Sequence, residues 1–280
     1  MISDEKIALL KDYFAKKQDI VMAFVFGSYA KSREMSESDL DIAIYFQPTN
    51  SMLEWEETKQ YENEDKIWSE IERMAGIKTD LIVLNRAPAT LAAAIISEGA
   101  PIIIKDYALY LRFLLTVSSA AEYFREFTID FWNIKQRSRS LTDIDRDRLI
   151  RIADFLEMEL KEYPAFISLN QKIYESDAAA RRNAERWAEN IVNSSIDMAK
   201  IVLASEKKRI PQTYREILQE LSLINDFDQE VAEKLAQFAK LRNILAHEYL
   251  DIRFVQIKKF IQESEPAYRQ LLDFVKKFVA

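Results

Sequence analysis

Two groups of residues have types and spacing suited to chemistry. The first is Gly27-Ser28, ten residues, then Asp39-Leu40-Asp41. A glycine that ends an apolar run permits a tight turn and a close backbone approach to phosphate. Ser28 adds a hydroxyl, and a short helix opening after it would turn N–H groups toward an anion. Asp39 and Asp41 lie two apart in a strand-like segment, so their carboxylates share one face. Hard Mg²⁺ takes such oxygen ligands together with substrate phosphates. A third carboxylate is expected on a neighbouring strand, and Asp80 stands at the mouth of the apolar run Leu81-Ile82-Val83-Leu84. Three aspartates on two adjacent strands suit two-metal phosphoryl or nucleotidyl transfer. A DxD on its own is more often a solvated strand edge, so the weight rests on the full spacing.

The second group is Arg242-Asn243-Ile244-Leu245-Ala246-His247-Glu248-Tyr249, which holds the only histidine of the chain. On a helix Asn243 and His247 are four apart and share a face. Arg242 lies about 140° round from His247 at 3.6 residues per turn, so its long side chain must reach back to join them. Tyr249 leaves that face unless the helix ends near His247. A histidine titrating near neutrality is a general base or acid, and an arginine clamps phosphate bidentately. Together they would let an RNA 2′-hydroxyl attack its own backbone without metal. The plainer reading is a helix-end histidine stacked under a tyrosine.

The elements that must position these residues divide the chain. Residues 3–18 have helical spacing; strands are expected at 20–27 and 38–46, a short helix near 29–34, and a loop at 48–51. Residues 53–75 read as an acidic amphipathic helix with Glu54, Glu56, Glu57, Glu62, Glu64 and Asp65 on its solvated face. A strand at 79–85, a helix from Pro88 to Glu98 closed by Gly99, and an edge strand at 102–104 complete an α/β region. After residue 106 no glycine occurs and helical periodicity takes over, at 107–137, 145–163, 171–205, 211–223, 226–247 and 251–278. The polar stretch Ser138 to Asp145 marks the expected boundary, giving domains 1–139 and 140–280.

Composition excludes several classes. The chain has 280 residues and a formal charge of −7, which argues against wholesale coating of nucleic acid. With no cysteine and one histidine, disulfides, thiolate zinc sites and histidine-pair metal sites are excluded within one copy. No secretory leader pattern is seen, and the most apolar window, 100–117, is broken by Lys105, Asp106 and Arg112. A soluble cytoplasmic protein is the expectation. The basic set Arg181, Arg182, Arg186, Lys200, Lys207, Lys208 and Arg209 is either an RNA groove or a solvated helix face.

The G-S-x10-D-x-D pattern at Gly27, Ser28, Asp39 and Asp41, with Asp80 following, resembles the minimal nucleotidyltransferases of the DNA polymerase β type. Arg242, His247 and Tyr249 match the R-x4-H-x-Y motif of HEPN ribonuclease toxins, and Asn243 matches the polar residue after the arginine. The whole chain is similar to a fused toxin–antitoxin pair of the MntA–HepT type. The resemblance implies an α/β nucleotidyltransferase domain followed by an all-α HEPN bundle. It implies that Asp39, Asp41 and Asp80 bind Mg²⁺, that Gly27 and Ser28 hold ATP, and that AMP passes to Tyr249, silencing a nuclease built on Arg242 and His247 with support from Asn243. It implies RNA as the substrate of the unmodified toxin and a homodimer through residues 140–280. The fusion departs from the family, whose partners are separate chains, and leaves open whether Tyr249 is reached in cis or in trans. A small-molecule nucleotidyltransferase of the aminoglycoside-modifying kind is the alternative, its acidic helix 53–75 helping to hold a cationic drug. An inactive interaction module is a third.

Overall fold

The computed structural model describes residues 4–30, 39–49, 52–137, 140–247 and 253–280. The chain forms two compact units, Met1–Phe124 and Arg125–Ala280. The first contains α1 (Asp4–Lys16), β1 (Ile20–Phe26), α2 (Gly27–Ala30), β2 (Leu40–Phe46), α3 (Glu64–Ala75), β3 (Thr79–Val83), α4 (Ala89–Glu98) and β4 (Ala100–Ile104), and then the start of α5 (Tyr107–Arg137).

Its four strands lie in the order β3-β2-β1-β4. β1 pairs antiparallel with β2 and β4, and β2 pairs parallel with β3. β1 and β2 are near-continuous apolar runs because both faces are covered. On one face Ala23, Val25, Ile42 and Ile44 meet Leu10 and Phe14 of α1 and Ile67 and Ile71 of α3. On the other, Phe24, Ala43 and Tyr45 meet Ala92 and Ile95 of α4 and Leu109, Phe113 and Val117 of α5. Along residues 23–25 and 42–46 the period-2 alternation assigns successive apolar residues to opposite cores.

Residues 53–63 are not helical, contrary to the expectation of one acidic helix over 53–75. Leu53 and Trp55 are buried in the sheet core, and the carboxylate of Glu54 is buried with them. It accepts from Thr49 N (3.0 Å), Lys59 Nζ (2.6 Å), Tyr61 Oη (2.7 Å) and Asn85 Nδ2 (3.3 Å). Burial alone would raise its pKa; the donors around it, led by Lys59 and Tyr61, hold it below the ordinary glutamate value. Glu64 is likewise engaged, by the Arg86 guanidinium. Of the acids that read as a solvated face, Glu62 and Asp65 are exposed, whereas Glu54 and Glu64 are tied into a polar network of the fold.

The second unit takes in the end of α5 and then α6 (Asp143–Lys161), α7 (Tyr163–Ile167), α8 (Gln171–Ser176), α9 (Ala178–Ser205), α10 (Tyr214–Gln219), a 3-10 turn at Glu220–Leu223, α11 (Gln229–His247), α12 (Phe254–Glu263) and α13 (Glu265–Val279). α9 is the central helix: Met198 to Ser205 is buried all round, as befits a helix packed by neighbours on every side. The expected single helices at 171–205 and 251–278 are each broken. Asp177 caps α9 by accepting from Ala179 N and Ala180 N, and Pro266 starts α13 afresh after Ser264. Among the described residues no helix is long and apolar enough to cross a membrane.

An ion-pair network ties the end of α5 to α6 and α9. Asp145 is fully buried and accepts from Arg137 Nε (3.1 Å) and Thr142 Oγ1 (2.8 Å). Asp130 binds Arg148 (2.9 Å) and the buried Lys200 (2.9 Å). Burial alone would raise the pKa of Asp130; hydrogen bonds from Arg148 and Lys200 hold it at about 2.

Candidate active sites

At the ends of β1, β2 and β3 the sheet brings together Gly27, Asp41 and Asp80. The parallel register sets Asp41 opposite Asp80, and the antiparallel register sets Asp41 opposite Phe26. By strand alternation Asp41 and Asp80 share the face of Ala43 and Ile82, on the α4–α5 side. Asp41 is half-buried and Asp80 exposed. The Asp41 carboxyl is pushed above the ordinary aspartate pKa, first by burial and then by the charges of Asp80 and Asp39. Such crowding of carboxylates is what a cation would relieve.

Gly27 turns the chain at φ +70°, and a Cβ there would collide with Asp41 Oδ2. Its backbone therefore lies directly against the Asp41 carboxylate. Ser28 lies in the short α2 that follows. Asp39 stands just outside β2, where Lys78 Nζ donates to its Oδ2 at 2.6 Å. Among the described residues no three His, Cys, Asp or Glu side chains are gathered to hold a metal ion; Asp39 is turned to Lys78 instead. The all-oxygen character of the three carboxylates still fits Mg²⁺.

The second group sits at the end of α11. Arg242 and Asn243 are buried and His247 half-buried. The Arg242 side chain does reach round the helix: Nη1 lies 2.9 Å from His247 Nε2. A guanidinium only donates, so Nε2 is the acceptor and the imidazole proton sits on Nδ1. Burial, and then the charge of Arg242, push the His247 pKa down to about 4. Its imidazole is thus neutral at physiological pH. Arg242 is also stacked over the Tyr214 ring, 4.4 Å from Cζ to centroid. Tyr249 lies outside the described residues.

The family model described as polymerase beta, nucleotidyltransferase, matches residues 8–108, and the one described as ribonuclease HepT-like matches residues 146–276. The chain joins a polymerase-β-type nucleotidyltransferase domain to a HepT-like domain. No curated protein matches it significantly. Of the solved structures that match, two are similar over part of the chain as follows. One is a toxin–antitoxin with AMP-PNP, at 16% identity over 44% of this chain and 91% of that one, TM-score 0.36. The other is a mutant MntA–HpeT toxin–antitoxin, at 15% identity over 43% and 89%, TM-score 0.34.

Sequence reasoning missed three neighbours of these sites. In the nucleotidyltransferase domain Lys78 engages Asp39, and Trp68 Nε1 donates to Thr79 O at 2.5 Å, capping the free edge of β3 next to Asp80. In the HepT-like domain Tyr214 supports Arg242 from α10. Lys78 was visible as a cation two residues before Asp80. The other two contacts depend on tertiary packing.

Proposed function

We propose that the nucleotidyltransferase domain, within residues 1–139, transfers AMP from ATP to Tyr249 and thereby silences a ribonuclease carried by residues 140–280. The observation that carries this reading is the register that sets Asp41 beside Asp80 on one face, against the backbone of Gly27. Mg²⁺ held by Asp41, Asp80 and Asp39 would neutralise phosphate charge when bound; Lys78 would have to yield Asp39. Gly27 and Ser28 offer close backbone approach and a hydroxyl to the triphosphate. The Tyr249 oxygen bonds to the α-phosphorus, the bond from that phosphorus to the bridging oxygen breaks, and pyrophosphate leaves. The phenolic proton passes to a carboxylate of the cluster.

In the ribonuclease, neutral His247 takes the proton of an RNA 2′-hydroxyl and Arg242 binds the phosphate under attack. The hydrogen bond between them gives the step an order. His247 Nε2 is occupied by Arg242, so a phosphate that draws Arg242 away also releases the base. An AMP phosphate on Tyr249, two residues from His247, would compete for the same guanidinium. Asn243 stands on the histidine's face of the helix as a supporting residue, and a homodimer would bring two such motifs together. The alternative small-molecule transferase keeps only the Glu64–Ala75 part of its acidic helix, since residues 53–63 are not helical and Glu54 is buried.

Intact mass of the purified chain, before and after Mg²⁺ and ATP, tests the reading. AMP-sized increments that vanish in Tyr249→Phe and in Asp39→Asn with Asp41→Asn are expected. The unmodified double mutant should cleave RNA, and His247→Ala should stop it. A chain that gains no AMP under any condition overturns the reading.

A further inference from the structure

The seven basic residues of the helical domain do not form one groove. Lys200 is buried in ion pairs with Asp130 and Asp197. Arg209 is paired with Glu220, Arg186 with Glu189, and Lys207 donates to the Lys135 carbonyl. Like Lys207 and Lys208, Arg181 and Arg182 enter no ion pair among the described residues. The two arginines line a cleft of 960 Å³ between α8, the start of α9 and α12, together with Arg253 and Lys258. That volume is at the top of the range of small-ligand sites, roughly 300–1,000 Å³.

The lining has a definite chemistry. Four cationic residues line it with two acidic ones, Glu175 and Glu185, on a chain whose formal charge is −7. Lys258 Nζ is held by the carbonyls of Ile167 (3.0 Å) and Leu169 (3.1 Å), which fix it without neutralising it. Glu185 accepts from Tyr174 Oη, at 2.5 Å. Half-buried Phe254 packs tilted on Tyr174, centroids 5.4 Å apart, and presents an aromatic surface among the arginines. Arginines beside an aromatic ring suit phosphates and an unstacked base. The two carboxylates suit base amino groups and would repel an acidic peptide. Arg253 follows His247 by six residues, so its Cα lies within about 20 Å of that of His247 along the chain.

We propose that this cleft is an RNA exosite, which holds single-stranded RNA next to the nucleotides being cut; it rests on the ribonuclease reading above. The test uses the full chain with Asp39→Asn, Asp41→Asn and His247→Ala, so that it is neither modified nor able to cut. Binding of a fluorescent single-stranded RNA is followed by anisotropy across a salt series. Arg181→Ala with Arg182→Ala should weaken binding about tenfold and lower the log–log salt slope by about 1.4, two phosphate contacts at about 0.7 each. Arg181→Lys with Arg182→Lys should retain the slope, and Lys172→Ala, on α8 outside the cleft, should change nothing. Arg253→Ala supplies an independent loss should the double alanine variant misfold. Unchanged affinity and slope in folded cleft variants, with the parent binding RNA, overturn the exosite and leave the ribonuclease standing. A parent that does not bind RNA, and does not cut it once His247 is restored, overturns both.

Discussion

The carboxylate of Asp41 occupies the space where a side chain at Gly27 would stand: a Cβ built on Gly27 meets Asp41 Oδ2 and lies 2.9 Å from its Cγ. The turn and the acid are thus one unit. Gly27→Ala must displace Asp41 as well as adopt a φ of +70°, at a cost of about 1–3 kcal/mol. AMP transfer should fall at least about a hundredfold, since misplacement of about 1 Å already costs that much. Urea denaturation and intact-mass kinetics of the variant check the two effects. Near-normal transfer would show that the contact is not used.

Asp41→Asn should separate stability from activity. Asp41 carries its charge against burial and against Asp80 and Asp39, which raise its pKa. Removing the charge at neutral pH relieves that repulsion, so the variant should be as stable as the parent or slightly more so while AMP transfer is lost. A thermal melt beside the mass assay decides. A clear loss of stability would make Asp41 a structural acid.

His247 sets a pH dependence with a definite sign. Its folded pKa, pushed down to about 4, lies below its unfolded value, so the unfolded chain binds more protons between the two. The stability it contributes is fully present above about pH 6.5 and is lost as pH falls toward 4, by about 1 kcal/mol between pH 7 and 5 after screening. Denaturation at these two pH values should show a smaller drop in His247→Gln than in the parent. The acid limb of RNA cleavage by the unmodified chain should likewise fall well below pH 6.5. A limb centred at 6.5 would mean that burial and Arg242 do not depress the histidine in solution.

Arg137→Ala should destabilise the helical unit by about 3 kcal/mol, because it strips the close partner from the fully buried Asp145. Arg148, 3.8 Å from Asp145, compensates only in part. Thr142→Ala should cost about 1 kcal/mol as a lost helix cap. Chemical denaturation measures both. Equal effects would deny the ion pair its larger share.

Strong apolar periodicity made the strands, α5 and the separation into α/β and all-α halves legible in the sequence. The i, i+2 spacing set Asp39 beside Asp41, whereas the face that Asp41 shares with Asp80 comes from the parallel register of β2 and β3. What stayed hidden was polar burial. Nothing in 53–63 distinguishes a solvated glutamate from Glu54, whose donors Thr49, Lys59, Tyr61 and Asn85 converge only on folding. Asp145, the end of a polar boundary stretch, and Lys200, one of a basic set, give no sign of their burial for the same reason. Helix breaks at Asp177 and Pro266 were written in the residues, as a cap and a proline, yet the surrounding periodicity outweighed them. At the second site, the Arg242 reach followed from helix geometry, whereas Tyr214 comes from α10, 28 residues earlier in the chain.

The parallel pairing of β2 with β3 has an evolutionary consequence. Asp41 and Asp80 are brought abreast by backbone ladder bonds, at the common inter-strand spacing of about 4.8 Å, and no particular apolar neighbour is required. Lineages can therefore exchange the leucines, isoleucines and valines beneath them freely, so long as strand length and alternation survive. Insertions of a single residue into either strand are the changes that selection must purge, because each would turn one acid to the opposite face. Ancestry in such a site is recorded in gap-free spacing long after overall identity has decayed.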